Sequence, residues 1–347
     1  MRNLIIKVIG VLLLITFLIY LFYSPRLKFD VLENPNKKSS TKIEQTQKKG
    51  PETENPKPKS GIGTWVNNDI SGLTKKFGQA DRVYAYANDY KNYVFRAQNQ
   101  YYIVTAKNNI IKSVYATGTK ADIEPINISE DASSIFENTS INPEPRIKAN
   151  GKSYDIELSD EDMKTQMLIK YGDVYAQVYI DQQTNKVVGV RFLDANALVM
   201  FNPYQMTQTS NEKTVKNQHK DVPYEQNVNQ LMTLYEVTNQ IRSLKGLKPF
   251  KVNNDLSHIA SVNLYESTNN KNVEFTEGAL KQQLDDRNIK FEAVGQNVGY
   301  DFNDVPTLLH SWLNSDIHRS RLLNTQYTEM GGDVMDLSLI HISEPTR

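Results

Sequence analysis

The chain has 347 residues with 40 basic and 40 acidic side chains, so its formal net charge is zero, and it contains no cysteine. The balanced charge excludes a global attraction to nucleic acid. The missing cysteine excludes disulfides, a thiolate nucleophile and cysteine-ligated zinc. A chain of this length exceeds the size at which one hydrophobic core keeps growing, so we expect two folded units and connecting segments.

The first feature along the chain is an apolar stretch over residues 4–23 whose one charge is Lys7. Twenty helical residues span about 30 Å, which is the thickness of the hydrocarbon core of a bilayer. A cleaved signal peptide is the alternative, but the long apolar run without a small-x-small cleavage site favours an uncleaved, single-pass membrane anchor. We expect the domains that follow to be extracytoplasmic, although Arg26 and Lys28 weaken the charge signal for orientation.

Residues 24–60 are predicted to be a disordered linker. Most of this stretch is rich in Lys, Glu, Pro, Thr and Gln and poor in large apolar residues, so it cannot bury enough surface to fold. A flexible coil of this length holds the next domain about 30 Å from the bilayer. Such a tether suits a domain that works in or beyond a cell wall.

Residues 61–201 are predicted to form a β-rich α+β domain with an internal repeat. Residues 101–107 and 110–115 alternate as strands do and are joined by an Asn-Asn turn, and residues 171–180 and 187–193 repeat this arrangement around a polar turn. The tyrosine-rich strands could line a ligand groove, but aromatic residues on strands are more often part of ordinary packing. The pattern therefore predicts a sheet domain and singles out no catalytic residue.

A polar segment over residues 202–223 is predicted to be a second linker, and after it the periodicity becomes helical. Val228, Leu231 and Leu234 recur at three- and four-residue spacing, which is typical of an amphipathic helix. Residues 291–300 alternate as a strand does. Helices around a sheet with late strands indicate an α+β domain of α/β/α layers over residues 224–336.

Five motifs in this last third resemble one known family. They are Asn239-Gln240-Ile241-Arg242 with Gly246-Leu247-Lys248-Pro249-Phe250, then Leu256-Ser257-His258-Ile259-Ala260, Gly295-Gln296-Asn297-Val298, the run over 312–324, and Gly331-Gly332-Asp333-Val334. Their order resembles that of the CAP superfamily of cysteine-rich secretory, SCP-like proteins, and this implies a CAP fold. Upstream, Ile62-Gly63-Thr64-Trp65 and the run over 73–82 resemble the CAP-associated N-terminal domain of bacteria.

In many members of this family, a groove holds two histidines and two acidic residues that bind a divalent metal. The resemblance places the second histidine at His318, but the first falls at Phe275, the acid of the Gly-Glu-Asn motif is Gln296, and the other acid falls near Ser315. One match in four predicts no metal site and no cofactor, and an amide cannot act as a general base. The predicted ligand groove consists of Glu274, Phe275, Gln296, Asn297, Asp316 and His318.

These observations predict a non-enzymatic binding module of the cell envelope, held to the membrane by its N-terminal helix. Its ligand would be a cell-wall component, a lipid or a protein, and not a nucleic acid. The alternative is an envelope hydrolase that acts on peptide or peptidoglycan with His318 and Ser315, which share a helix face at a spacing of three residues. Metal-dependent ligand binding is a third hypothesis. His310 and His258 are predicted to be structural.

Residues 337–347, LSLIHISEPTR, look foreign to the chain and resemble the translated read-through of a sequencing adapter. The family implies one more strand, rich in aromatic residues, after the Gly-Gly strand. The tail has no Phe, Trp or Tyr and carries Pro345, which cannot donate a hydrogen bond in a central strand. We therefore expect a truncated domain that ends near Asp336 and lacks a strand of its sheet.

Overall fold

The computed structural model of the protein describes residues 31–34, 55–209, 213–214, 224–268, 273–335 and 339–345. All of them belong to one unit of the chain, which begins at Val31. The predicted anchor over residues 4–23 lies outside the described residues. In these ranges, no helix combines the length and the apolar character that crossing a membrane requires.

The described elements are strands, several of them consecutive in the chain, and α-helices of 6 to 21 residues. In chain order the strands are β1 (Val31–Glu33), β2 (Arg82–Ala85), β3 (Lys91–Ala97), β4 (Gln100–Lys107), β5 (Ile110–Thr117), β6 (Arg146–Ala149), β7 (Lys152–Glu157), β8 (Gln166–Tyr171), β9 (Val174–Asp181), β10 (Lys186–Leu193), β11 (Gln205–Gln208), β12 (Lys213–Thr214), β13 (Lys251–Val252), β14 (Val294–Tyr300), β15 (Glu329–Met335) and β16 (Leu339–Pro345). The α-helices are α1 (Ser71–Phe77), α2 (Ala132–Asn138), α3 (Asp160–Thr165), α4 (Ala195–Phe201), α5 (Tyr224–Leu244), α6 (Asn254–Thr268), α7 (Glu277–Asp286), α8 (Val305–Leu313) and α9 (Asp316–Leu322).

The middle domain is built on a seven-stranded sheet in the order β2-β3-β4-β5-β10-β9-β8. The two hairpins singled out in the sequence, β4–β5 and β9–β10, lie side by side because β5 pairs with β10 in antiparallel fashion. Asn108 and Asn109 form the turn of the first hairpin with φ angles of 51° and 64°. A two-residue type I′ turn requires positive φ at both positions, which asparagine tolerates better than most residues.

Both faces of this sheet are buried. On one face, Leu73 of α1 and Ile135 of α2 close a core that belongs to the middle domain. On the other face, Tyr101 and Tyr179 belong to a core that continues through α5 and α8 of the C-terminal domain and includes Trp312. Burying a large apolar side chain contributes about 1.5–3 kcal/mol, so the shared core joins the two domains firmly.

A smaller sheet, in the order β12-β11-β7-β6, corrects the described part of the predicted linker over residues 202–223, of which residues 210–212 and 215–223 lie outside the described residues. Residues 205–208 form β11, which pairs with β7 in antiparallel fashion. Only Met206 of this strand is fully buried, and its neighbours Gln205 and Thr207 stay partly exposed. Because one buried side chain is enough for a strand this short, its composition stays polar, and no sign of a strand therefore appears in the sequence.

The C-terminal domain contains a mixed five-stranded sheet in the order β1-β14-β16-β15-β13. Helices α6 and α7 cover one face, where Leu256 and Leu284 pack with Val294. Helices α8 and α9 cover the other face, and a Cβ at Gly299 would lie 2.4 Å from Cδ1 of Leu308, so only glycine allows α8 to approach so closely. The α+β class predicted from the sequence is confirmed.

The strand β1 corrects the predicted disorder over residues 24–60 at its described residues 31–33, while residues 24–30 and 35–54 lie outside the described residues. Residues 31–33 pair in parallel with β14, and Val31 lies opposite Val298. Asn34 then donates a hydrogen bond from Nδ2 to the carbonyl oxygen of Asp301 at 3.2 Å. A composition argument averages over dozens of residues, and a strand of three residues is lost in that average. The C-terminal domain is therefore assembled from both ends of the described chain.

The strand β16 corrects the expectation of a missing strand. Residues 339–345 run between β14 and β15 and pair with both in antiparallel fashion. Pro345 is the last residue of the strand, opposite Val294, where a missing N–H group disturbs the ladder least. The tail that looks foreign in the sequence thus occupies a central position in the sheet.

Candidate functional site

The start of α9 brings two of the predicted site residues together. Ser315 is the residue before the first turn, and its hydroxyl makes no capping bond to the helix backbone. Its Oγ instead lies 2.9 Å from Nδ1 of His318. The spacing of three residues predicted this contact, because residues three apart on a helix lie on the same face. A serine and an imidazole therefore meet at the N-terminal end of α9.

His318 lies in a closed environment and is only 4% exposed. Its ring is parallel to the indole of Trp312, with the ring centroids 6.2 Å apart. Its carbonyl oxygen accepts a hydrogen bond from Nδ2 of Asn297 at 3.0 Å. Asn297 thereby ties α9 to β14. Its Oδ1 atom and Nε1 of Trp312 are buried and have no hydrogen-bond partner in the described part of the chain.

Gln296 occupies the position of the family's acid and makes a structural contact. Its side chain is 1% exposed and donates from Nε2 to the carbonyl oxygen of Thr276 at 2.7 Å. Its own carbonyl oxygen accepts a hydrogen bond from Nη1 of Arg321 at 2.7 Å. Phe275 packs with Leu264 in a small apolar cluster. A neutral amide held by backbone groups and a buried phenyl ring leave no acid or base at these two positions.

The two acidic residues of the predicted groove lie at the surface. Glu274 and Asp316 are both exposed, and Oδ1 of Asp316 accepts a hydrogen bond from Nε2 of Gln183 at 3.0 Å. Within the described ranges, no group of three or more histidine, aspartate or glutamate side chains is placed so that it could hold a metal ion. The polar rim is therefore partly built by the middle domain, through the turn that joins β9 to β10.

The same turn makes a second contact at the rim. Gln182 donates from its backbone N–H to Oδ1 of Asn314 at 2.9 Å and from Nε2 to the Asn314 carbonyl oxygen at 3.0 Å. Because Asn314 immediately precedes Ser315, the middle domain holds the residue that leads into α9. Sequence reasoning missed this contact, since the two residues are 132 positions apart and nothing in their local sequence links them.

Behind this rim, a buried ion pair connects the two domains. Arg191 of β10 and Asp304, the residue before α8, have side chains that are 2% and 6% exposed. Nη1 of Arg191 donates to Oδ2 of Asp304 at 3.1 Å, and Oδ1 of Asp304 accepts from the backbone N–H of Thr307 at 2.9 Å. Burial alone would lower the pKa of the Arg191 guanidinium, but the neighbouring carboxylate of Asp304 raises it, and the net shift is upward. The carboxylate thus caps a helix and neutralises a buried cation.

His310 lies beside this pair and is fixed between two tyrosines. Its Nε2 atom forms a hydrogen bond of 2.9 Å with the hydroxyl of Tyr115, and its ring stacks on Tyr179 with the centroids 4.1 Å apart. Burial and the positive charge of Arg191 lower the pKa of His310 to about 3. The side chain is therefore a neutral packing residue between the domains.

Two further carboxylates bridge the domains at their edges. Asp181 accepts hydrogen bonds from Nη1 of Arg319 at 2.7 Å and Nη2 at 3.0 Å, and it also contacts Lys245. Burial alone would raise the pKa of Asp181, but hydrogen bonds from Arg319 and Lys245 lower it to about 2. At the other edge, Glu236 of α5 pairs with Arg82 at 2.9 Å.

A small cavity remains between the domains. Its volume is about 20 Å³, and its walls include Tyr84, Asn92, Thr105, Gln230, Arg191 and Asp304. A cavity of this size with polar walls suits about one water molecule. It is too small for an organic ligand.

The two domains match known families. Residues 66–204 match the CAP-associated N-terminal family, and residues 235–337 match the cysteine-rich secretory protein family. The sandwich of helices around a mixed sheet, with His318 at the start of a helix beside β14, is the arrangement that the five sequence motifs imply. The chain belongs to the CAP superfamily of cysteine-rich secretory proteins and carries a CAP-associated N-terminal domain. The resemblance seen in the sequence is confirmed.

Among solved structures, the chain is similar to a cysteine-rich secretory protein from Staphylococcus aureus subsp. aureus Mu50, with 57% identity, a TM-score of 0.83, and coverage of 93% of this chain and 100% of that one. It shares its fold with an extracellular SCP-domain protein from Bacillus anthracis str. Ames, with 24% identity, a TM-score of 0.74, and coverage of 89% and 100%. It is also 29% identical over 281 residues to the uncharacterized membrane protein YlbC of Bacillus subtilis (strain 168), which covers 79% of this chain and 80% of that protein.

Proposed function

We propose that this chain is a membrane-tethered, extracytoplasmic CAP protein that binds a polymer of the cell wall without cleaving it. The apolar stretch over residues 4–23 and a relative named as a membrane protein support the tether. The name of the Bacillus anthracis relative, an extracellular protein, supports the outward orientation.

The observation that carries the non-catalytic assignment is the Gln296 side chain. It lies where the family has an acid, it carries no charge at physiological pH, and its Nε2 atom is committed to the Thr276 carbonyl oxygen at 2.7 Å. General acid–base catalysis needs a group that exchanges a proton near the operating pH. An amide held in this way contributes structure and no proton transfer.

The rim of the site supports a polar ligand. Gln183 of the β9–β10 turn donates a hydrogen bond to the exposed carboxylate of Asp316, and amide and carboxylate groups hydrogen-bond well with hydroxyl and amide groups. Glycan strands and their peptides offer such groups in long arrays. A wall polymer therefore matches the rim better than an apolar ligand does.

A hydrolase is the second candidate, because Ser315 Oγ and His318 Nδ1 lie 2.9 Å apart. A serine becomes a nucleophile when a histidine takes its proton and a third group orients that histidine. The Ser315–His318 contact supplies the first pair of such an arrangement. The 4% exposure of His318 disfavours this candidate, because the imidazole must meet the substrate's leaving group.

Orientation can be tested on intact cells, because the chain contains no cysteine. Phe136 is 45% exposed, so a Phe136→Cys variant of the full chain should react with a membrane-impermeant maleimide. An Arg2→Cys variant is the matched control and should react only after lysis. Labelling of Arg2→Cys, but not of Phe136→Cys, on intact cells would overturn the proposed orientation.

Binding and cleavage can be separated in one sedimentation assay with purified peptidoglycan. We expect the full chain to sediment with the polymer, a Glu274→Lys/Asp316→Lys variant to sediment less, and no soluble fragments to be released. Release of fragments that disappears with His318→Ala would favour the hydrolase. Failure of the wild-type protein to sediment would exclude the wall polymer as its ligand.

A further inference from the structure

The strand β1 forms the outer edge of the five-stranded sheet, so β14 would be an edge strand without it. It contributes only three residues, which pair in parallel with residues 298–300. The next described residue along the chain is Asn55, and residues 35–54 between them belong to the segment whose composition predicts a linker. The strand is therefore placed on the sheet like a short peptide at the end of a connecting segment.

The first two side chains of β1 contact opposite faces of the sheet, as successive residues of a strand do. Val31 packs against Leu264 and Phe275 on the face that α6 covers. Leu32 packs against the large core that the two domains share on the other face. Each apolar side chain of the segment thus has its own contact surface.

The next two side chains make polar contacts with β14 and the residue after it. Glu33 lies opposite Tyr300, and partial burial together with a hydrogen bond to the Glu33 carboxylate raises the pKa of the Tyr300 phenol to about 12. Asn34 is 4% exposed and donates from Nδ2 to the carbonyl oxygen of Asp301 at 3.2 Å. Four consecutive side chains therefore each have a different partner along one edge of the sheet.

We propose that the outer edge of β14 is a peptide-binding site, which residues 31–34 of the chain occupy in this structure. Its ligand in a complex is an extended segment of a partner protein that carries two apolar residues, an acidic residue and an asparagine in succession. This site lies apart from the rim around Ser315 and His318, and the proposal goes beyond the binding of a wall polymer.

The physical basis is the addition of a strand to a sheet. An uncovered edge is a template for another strand, because its N–H and C=O groups lack partners. In this mode of recognition, main-chain hydrogen bonds give affinity and contacts with successive side chains give specificity. Residues 31–34 make both kinds of contact, and none of these contacts requires that the peptide belong to the same chain.

The chain's own segment and a partner peptide compete for the same edge. A flexible linker gives an attached ligand an effective concentration in the millimolar range. A free peptide with the same contacts must reach this concentration to displace β1 from the wild-type protein. The edge therefore stays closed until a partner with additional contacts binds, or until the contacts of β1 are weakened.

The site can be tested by fluorescence anisotropy with the full chain in detergent and a labelled peptide that has the sequence of residues 29–36. A Val31→Asp/Leu32→Asp variant loses both apolar contacts of its own segment, so it should bind the peptide about tenfold more tightly than the wild-type protein does. A peptide with the same two aspartates is the matched control and should not bind. Adding Tyr300→Phe to the variant should weaken binding about threefold, because a hydrogen bond to the peptide's glutamate is lost. Equal binding of the two peptides, or no binding to the variant, would overturn the proposal.

A second measurement does not depend on the folding of that variant. Because the chain has no cysteine, a full chain with Tyr300→Cys and an intact β1 can be incubated in glutathione buffer with the same peptide carrying Cys in place of its glutamate. At about millimolar peptide, we expect mass spectrometry to find a disulfide between the two. A Val83→Cys chain is the control, because Val83 is 49% exposed on the edge strand β2, and it should form far less.

Two results of this trapping experiment would contradict the proposal. Equal trapping at positions 300 and 83, or no disulfide at position 300, would show that the edge does not accept a separate strand. A disulfide between a Glu33→Cys chain and a Tyr300→Cys chain, under conditions where the peptide forms none, would make a second copy of this chain the occupant and refute the partner protein.

Discussion

Arg191 and Asp304, which are 113 positions apart in the chain, form a bidentate ion pair buried between the two domains. Their side chains are 2% and 6% exposed, so water does not screen either charge. Each charge is tolerated only because the other is present, since an isolated charge in a protein interior costs several kcal/mol. The pair therefore makes each domain depend on the other.

Replacing Arg191 by methionine should lower the free energy of unfolding by about 3–5 kcal/mol, because it leaves the Asp304 carboxylate buried without its partner. Chemical denaturation of the full chain measures this loss. Arg146→Met is the matched control, because Arg146 pairs with Asp155 at the surface, where the two side chains are 60% and 45% exposed. If the two substitutions changed stability equally, the buried pair would not hold the domains together.

The neutral state of His310 predicts a pH dependence of stability. Its pKa falls from 6.5 to about 3 on folding, so between these values the unfolded chain binds a proton that the folded protein excludes. The free energy of unfolding should therefore decrease as the pH falls from 6.5 toward 3, and one such proton contributes about 1.4 kcal/mol per pH unit. Denaturation at a series of pH values should show a shallower slope for His310→Gln.

His258 provides the control for this measurement, because it is exposed on α6. His258→Gln should leave the slope of stability against pH as it is in the wild-type protein. Asp181 adds to the acid sensitivity below about pH 5, because its pKa falls from 3.8 to about 2 on folding. A wild-type slope between pH 6 and pH 4 that is the same in His310→Gln would contradict the buried, neutral histidine.

The pairing of β1 with β14 predicts a disulfide. Glu33 and Tyr300 are directly opposite, and neighbouring strands lie about 4.8 Å apart, which a disulfide can bridge. Because the chain has no cysteine of its own, a Glu33→Cys/Tyr300→Cys variant should form one intramolecular bond on mild oxidation, detected by mass spectrometry of the linked peptides. A Glu33→Cys/Val83→Cys pair should remain reduced, and two free thiols in the first variant would refute the pairing.

Local patterns in the sequence predicted much of the fold. The Asn108-Asn109 turn and the alternating residues around it identify a hairpin, since both act over a few positions. The contact between Ser315 and His318 followed from helix geometry alone. Each of these features depends on residues that are close in the chain.

The features that the sequence did not predict either join residues far apart in the chain or are hidden by the composition of the residues around them. Nothing near Arg191 or His310 indicates a partner in the other domain, because a buried ion pair is set by tertiary packing and not by local propensity. The strand β1 escaped detection because Val31 and Leu32 stand next to a long polar stretch that dominates the composition. The tail strand β16 escaped because Pro345 argues against a central strand, and only its position at the strand's end removes that objection.

The most direct test of the non-catalytic assignment is whether Ser315 is an activated nucleophile, and it requires no knowledge of the ligand. A fluorophosphonate probe forms a covalent bond with a serine that a histidine has activated. The full-length wild-type protein and its Ser315→Ala and His318→Ala variants would be incubated with the probe beside a known serine hydrolase, and labelled peptides identified by mass spectrometry. We predict no labelling at Ser315 under conditions that label the hydrolase completely. Labelling at Ser315 that disappears in His318→Ala would contradict the assignment and establish a hydrolytic site.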